Sequence, residues 1–504
     1  MVALCMVALM CCTALSACST TFTPRTCATD SDCSAGTVCE LRDQQPVCVH
    51  AEDAPLIIGQ SAPVTGTNQA LGTGMRLGTQ LAFDEQNSAG GVRGRQLQLS
   101  FRDDAYVPAL AEQAARALAD VQTGTTAAKC PSSTKSIAGN PPVTLVGLDR
   151  GPSAVLAFLG NVGTPTMVRA APVALESGTI FFGAFTGAAA VLRDDTAGDC
   201  KRFVFNVRAS YAQEAEATVE YFKFQGINDY KAMISFDQSD SFGQSGYDGL
   251  VAAYKKNYGN FPGNADPVNP IARFRYDRND QNSVPAQATA VCNYLASLLA
   301  NTTGTVNVGV MMTDTYGASA DFITALRTWQ MANDSQQSSL MKATRLKFTF
   351  SNVSFVGPNA LSANLMMAGS VPAPGGAMIP MTQDVIVSQV VPNYQSDTSD
   401  VVVAYNKLIQ ANHATPSFTS LEGYIAARVF IAGLLAHRGP FTPGSLVKSF
   451  ESLPDLSLGI GAASGFSSTN HQYSASVWGT AINADGSFKN LYFWADGSQI
   501  QIFE

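Results

Sequence analysis

Three apolar runs of strand length follow one another between Val155 and Tyr221, each ending in a short loop of hydroxyl and glycine residues that opens a segment of helical spacing. Residues 155–159 lead into Gly163-Thr164-Pro165-Thr166. Residues 180–182 lead into Phe185-Thr186-Gly187-Ala188, and residues 203–207 into Arg208-Ala209-Ser210-Tyr211. Strand–helix units in direct succession need crossover helices and therefore parallel strands. In open parallel sheets the ligand sits beyond the carboxyl ends of the strands, where helix N-termini offer unpaired N–H groups. Hydroxyls, glycines and one tyrosine at those places suit a small polar molecule with an anionic group. They are not a catalytic set.

At 504 residues the chain is too long for one ordinary core, so two or more lobes are expected. Apolar residues make up 46% and charged residues 14%, which is a globular composition. The formal charge of −8, with no run of Lys or Arg, excludes a phosphate-binding stripe and argues against nucleic acid.

Residues 1–17 are apolar and end in Leu15-Ser16-Ala17-Cys18. This resembles the lipobox of bacterial lipoproteins, which implies a signal peptide over 1–17, removed with Cys5, Cys11 and Cys12, and lipidation of Cys18. The stretch departs from the usual signal peptide in having no Lys or Arg before Arg25. No other segment reads as long and apolar enough to cross a bilayer. The implied location is the bacterial cell envelope, periplasm-facing or at the surface, anchored through lipid.

An exported chain meets oxidising conditions. Cys27, Cys33, Cys39 and Cys48 fall within CATDSDCSAGTVCELRDQQPVC, which has no CxxC pair and no histidine, so zinc is not expected. Two disulfides of undetermined connectivity are expected instead, in a module (residues 18–54 with anchor and linker) that resembles short cysteine modules following the lipobox in some surface lipoproteins. A role as spacer between membrane and domain is expected for it, with a partner contact as the alternative. Cys130 is expected to pair with Cys200, leaving Cys292 free and buried.

Along the main domain, strands are expected at 55–59, 96–101, 231–236, 306–312, 348–350 and 385–390, and helices at 75–87, 109–121, 401–410 and 421–437. Residues 60–74 read as a glycine-rich loop. Residues 122–142 read as a surface insertion, and 474–503 as a β-rich tail.

From Leu56 to Phe503 the chain resembles type I periplasmic substrate-binding proteins of the leucine/isoleucine/valine-binding kind. The similar segments keep the family's order: IIGQSAPVTG, FDEQNSAGGVRGRQLQL, DDAYVP, VGTPT, FGAFTGAAAVLR, FVFNVRASYAQE, SFDQSDSFGQSG, NVSFVG, SQVVP and FTSLEGYIAARVF. The resemblance implies an α/β fold of two doubly wound parallel-sheet lobes joined by three crossover strands. Lobe one would hold 56–208 with about 390–456, and lobe two 212–385 with about 466–504. Ligand would lie in the cleft between them.

The resemblance further implies that Gly163, Thr164, Thr166, Phe185, Thr186 and Gly187 form the lobe-one wall, holding an α-carboxylate and ammonium. Tyr211, Phe242, Thr315, Tyr316 and Ser354 would face them. Asp240 and Asp314 are the acids nearest to where an ammonium partner is needed. Each has a structural alternative: Thr164, Thr186 and Asp314 as helix caps or surface groups, Tyr211 and Phe242 as core or hinge packing.

Enzyme signatures are missing. Gly72-x-Gly74-x-x-x-Gly78 misses the dinucleotide spacing, no GxxxxGK[ST] occurs, and Gly243-Gln244-Ser245-Gly246 is not a nucleophile elbow. His50, His413, His437 and His471 are scattered, and the Asp103-Asp104 and Asp194-Asp195 pairs read as element ends. No catalytic residue, metal or cofactor is expected. The expected function is capture of a small amino acid or related carboxylate by a monomer that presents it to an ABC permease. The alternatives are a sensory lipoprotein signalling to a membrane receptor or kinase, and, less favoured, a structural surface lipoprotein.

Overall fold

The computed structural model describes residues 26–42, 45–123, 148–189, 201–332, 339–461 and 465–503. Two sheets organise them. The first has five strands, all parallel, in the order Leu97–Asp103, Leu56–Ala62, Ala157–Leu159, Ile180–Phe182 and Val204–Phe205. The second begins with five parallel strands: Ala272–Tyr276, Met233–Gln238, Val306–Thr313, Leu346–Asn352 and Val385–Gln389. Val477–Ile482, Phe488–Trp494 and Gln501–Ile502 extend it as an antiparallel ribbon, which is the β-rich tail.

In both sheets the second strand in sequence lies outside the first, and the third lies on the first one's other side. The connections therefore depart in opposite directions from between the first and third strands, leaving a crevice at their carboxyl ends. In the first sheet that crevice lies between Ala62 and Gly160; in the second it lies between Gln238 and Asp314.

The chain passes from the first sheet to the second after Val204–Phe205, and leaves the second after Val385–Gln389 for the helices Asp400–Ala411 and Phe418–Ala436. It returns along residues 471–474, which pair with the first crossing: Asn206 N–H donates to His471 O at 2.8 Å and Tyr473 N–H to Asn206 O at 2.7 Å.

The glycine-rich stretch expected to be a loop over 60–74 is partly helical, because the helix starts at Gln69 and runs to Ser88. Close packing explains its glycines. A Cβ on Gly78 would lie 1.9 Å from the Ser420 carbonyl oxygen, so only a bare backbone lets the Phe418–Ala436 helix lie against this one. Phe418–Ala436 is also the one helix among the described residues long and apolar enough to cross a membrane, which the sequence reading missed; 83% of its apolar window is buried inside the molecule. It is a core helix, apolar around its circumference because neighbours cover all sides.

Cys27–Cys39 and Cys33–Cys48 are the two disulfides of the N-terminal module, and Cys292 is free and buried, as expected. The module is an antiparallel hairpin, Thr37–Arg42 with Gln45–His50. It is fastened to the first sheet's side of the main domain. Arg93 pairs with Asp30 at 2.7 Å and Arg95 with Glu40 at 2.6 Å, while both guanidinium groups lie over the Phe441 ring. Residues 121–123 pair with 148–150 at the base of the expected insertion. The rest of that insertion, Cys130, Cys200, Asp194-Asp195 and the lipobox with Cys18 lie outside the described residues.

Candidate functional site

The three loops singled out in the sequence do sit at strand ends of the first sheet. Gly163 is the N-cap of the Thr164–Glu176 helix with φ of 98°, a left-handed conformation that favours glycine. Thr164 and Thr186 are wholly buried and their hydroxyls bond each other at 2.7 Å; Thr186 Oγ1 also accepts the Ala188 N–H at 3.2 Å. Thr166 turns back on its own turn, donating to Val162 O and Gly163 O. Gly187 O accepts the Tyr211 N–H at 2.8 Å. This wall is neutral, and its polar groups are short.

Opposite it stand aromatic rings. Phe355 is 5.0 Å from Phe185 and 4.7 Å from Phe242, and Phe242 is 5.3 Å from Tyr211. All four are buried, so the two sheets' loops meet directly. Burial pushes the Tyr211 hydroxyl up to about 12, against the nearby Arg208 charge. The structural alternative for Tyr211 and Phe242, packing, describes their present contacts. Tyr316 is half-buried at the rim: a Cβ on Gly357 would lie 2.7 Å from Leu71 Cδ2 and 3.3 Å from Tyr316 Cδ1.

Charge enters from the second sheet. Asp240 caps the Ser241–Tyr258 helix through the Phe242 N–H at 2.9 Å and pairs with Arg278 at 2.9 Å, so it is already occupied. Asp237 is held by Arg273 at 2.8 Å. Asp314 differs. It is wholly buried, and neither carboxylate oxygen has a hydrogen-bond partner. The Ser319 hydroxyl nearby is turned to Asn352 Oδ1 at 3.1 Å. Burial, and then the charge of Asp237, push the Asp314 carboxyl well above the ordinary carboxylate range. Its own backbone and the Ser319 hydroxyl oppose that shift without cancelling it, so Asp314 is a buried acid with no cation beside it and not a solvated charge. The adjoining Thr315 accepts from or donates to the Tyr276 hydroxyl at 3.4 Å, and its N–H donates to the same oxygen at 3.2 Å.

Ser354 belongs to a separate cluster that sequence reasoning missed. Arg208, 2% exposed, pairs with Glu214 at 2.9 Å and Glu422 at 3.1 Å, and donates to Ser354 Oγ. Glu214 Oε2 also accepts the Ser354 N–H and the Ser388 hydroxyl, each at 2.7 Å. Burial opposes the Arg208 charge, but Glu422 and Glu214 outweigh it and hold the guanidinium protonated. One cation thereby links the first crossing, the core helix from the first sheet's side and a loop of the second sheet. The sequence signals were a charge directly after the apolar run 203–207 and an acid inside FTSLEGYIAARVF.

The Cys27, Cys33 and Cys48 sulfurs lie within 4.8 Å of one another but are bound in disulfides, so they are not thiolate donors.

The family described as periplasmic binding protein matches residues 55–142. Among solved structures, a possible leucine/isoleucine/valine-binding protein from Rhodopirellula baltica is 27% identical, with a TM-score of 0.66 over 88% of this chain and 98% of that one. A leucine-binding protein LivK from Thermotoga maritima is 14% identical, with a TM-score of 0.61 over 88% and 99%. A fatty acid ABC transporter substrate-binding protein from Thermomonospora curvata is 13% identical, with a TM-score of 0.60 over 90% and 93%. Among curated proteins, Leu/Ile/Val-binding protein homolog 2 of Brucella abortus is 38% identical over 55 residues, 11% of this chain and only 15% of its own length. All are binding proteins and none is described as an enzyme.

Proposed function

We propose that this chain, a type I periplasmic-binding-protein fold akin to the leucine/isoleucine/valine-binding proteins, captures a small amino acid or similar ammonium carboxylate between its two sheets and presents it to an ABC permease. The observation that carries the reading is Asp314: a buried acid with no cation beside it, next to the crevice of the second sheet, is a seat for one. On the other side, the Thr164–Thr186 hydroxyl pair at the N-terminus of the Thr164–Glu176 helix is suited to a carboxylate. Charge-assisted bonds of that kind in a closed cleft are roughly twice as strong as neutral ones. Closure on ligand, through the crossings between the sheets, would then be the event the permease reads. The fatty-acid-binding neighbour shows that the fold alone does not choose the ligand.

Calorimetry with branched-chain and small amino acids tests the reading. Burial raises the Asp314 carboxyl, and an ammonium seated beside it should lower it again. Binding should therefore release protons over the pH range in which the empty carboxyl is protonated, seen as a heat that depends on the buffer. A ligand at 100 times its Kd should also add about 2.7 kcal/mol to stability. No stabilisation by any of them would end the amino-acid reading. We further propose that Cys18 carries a lipid; Cys18→Ser should release the protein from membranes, and continued retention would exclude it.

A further inference from the structure

Tyr106 enters the cleft in a way the binding argument above does not use. It follows the Leu97–Asp103 strand, and together with Ala105 it makes two consecutive non-glycine residues in the left-handed region, with φ of 47° and 60°. Side-chain-bearing residues hold that conformation only where their surroundings fix it. The fixing groups are present. The Asp104 carboxylate accepts the Tyr106 N–H at 2.9 Å and the Ser61 hydroxyl at 2.6 Å, and the Val107 N–H donates to Asp104 O at 2.7 Å.

The constraint delivers a wholly buried ring onto the bare backbone of the first wall. A Cβ on Gly163 would lie only 2.4 Å from Tyr106 Cε2. Across the cleft the ring stands 6.1 Å from Phe355, and its hydroxyl accepts from the Gln238 amide at 3.4 Å. Gln238 in turn accepts the Tyr276 hydroxyl at 3.2 Å, and Tyr276 lies within electrostatic reach of Asp314. The ring therefore fills the space between the Gly163 backbone and the polar chain of Gln238 and Tyr276 that leads toward Asp314.

We propose that Tyr106 is a specificity-determining residue, a fixed ring that occupies the cleft above Gly163 and restricts the ligand to small aliphatic side chains. The inference rests on the solute-binding reading of the cleft. A ligand side chain reaching Gly163 must share volume with the ring, and close-packed interiors do not yield ring-sized space without rearrangement. The strained Ala105–Tyr106 backbone, pinned by Asp104, keeps the ring from being carried aside.

The full chain is compared with Tyr106→Ala, Tyr106→Leu and Tyr106→Phe, circular dichroism confirming that each folds. Without ligand, amide hydrogen exchange at Gly163 and Thr164 should quicken about tenfold or more in Tyr106→Ala and stay near the parent rate in Tyr106→Phe. Calorimetric titrations then use L-valine and L-phenylalanine. The parent should favour L-valine by about tenfold or more, Tyr106→Phe should keep that ranking, and Tyr106→Leu and Tyr106→Ala should progressively erase it. A parent that binds both equally, an unchanged ranking in folded Tyr106→Ala, or unchanged exchange overturns the inference while leaving the solute-binding reading intact. If no form binds either amino acid, the amino-acid reading falls and this specificity role falls with it.

Discussion

The two walls of the cleft are built from opposite materials. The first sheet offers hydroxyls and bare backbone, with Thr164 and Thr186 satisfying each other and Thr166 satisfying its own helix turn. The second offers buried acids, two of them neutralised by arginines and one, Asp314, with no cation beside it. The first wall was legible because a strand–loop–helix succession confines its residues to adjacent positions. The second wall is assembled from residues far apart in the chain, with Asp237, Arg273 and Asp314 brought together by the parallel pairing of three strands. Under the proposed function, a neutral wall facing an acidic one would orient a ligand that carries both charges.

The joint between the walls should be more costly to break than either wall. Arg208→Met leaves Glu214 and Glu422 buried without their cation and should lower stability by about 3–5 kcal/mol in denaturant unfolding. Adding Glu214→Gln and Glu422→Gln should recover part of that loss. A single variant as stable as the parent would mean that the walls are joined by packing alone.

Asp104 holds the Tyr106 turn on the first wall's side, and burial raises its carboxyl to about 6 even though Ser61 and the Tyr106 N–H bond to it. The sign follows: a folded-state value above the unfolded one, ordinarily near 4, makes stability highest below about pH 4 and lets it decline through pH 6. Two units correspond to about 2.7 kcal/mol at most. Asp104→Asn should flatten that part of the pH–stability curve, and an unaltered slope would show that the carboxyl titrates normally.

Asp314→Asn tests the acidic wall. It should weaken binding of an amino acid by about 10- to 100-fold and abolish the proton release, while the ligand-free protein gains stability at neutral pH because a buried unpaired acid has been removed. Retained affinity would pass the ammonium role to another group. The smallest effect is expected on the neutral wall. Thr186→Val breaks the Thr164 pair and should cost about 1 kcal/mol in the ligand-free protein, with a comparable loss in binding. A change in ligand-free stability alone would make Thr186 a structural residue.

Much of the fold was readable from spacing. The strands at 180–182 and 385–389, the helix from Tyr211 and the ribbon at the end lie where the periodicity puts them, with boundaries shifted by a few residues. The start of the Gln69–Ser88 helix was not, because its glycines read locally as loop and are explained only by the backbone of the Phe418–Ala436 helix against Gly78. In the N-terminal module, cysteine spacing gave two disulfides but not their pairing, nor that Arg93 and Arg95 would fasten the hairpin to the domain.

By itself, the chain's order of apolar runs and loops determined that parallel sheets would present hydroxyls and glycines at strand ends, since period and turn chemistry are local properties. Which acid would be left unpaired, which arginine would join the sheets and which ring would lie on Gly163 were decided only by tertiary structure. Those outcomes depend on burial and on partners hundreds of residues apart, such as Arg208 and Glu422, and a buried charge acquires its meaning from what does or does not stand beside it.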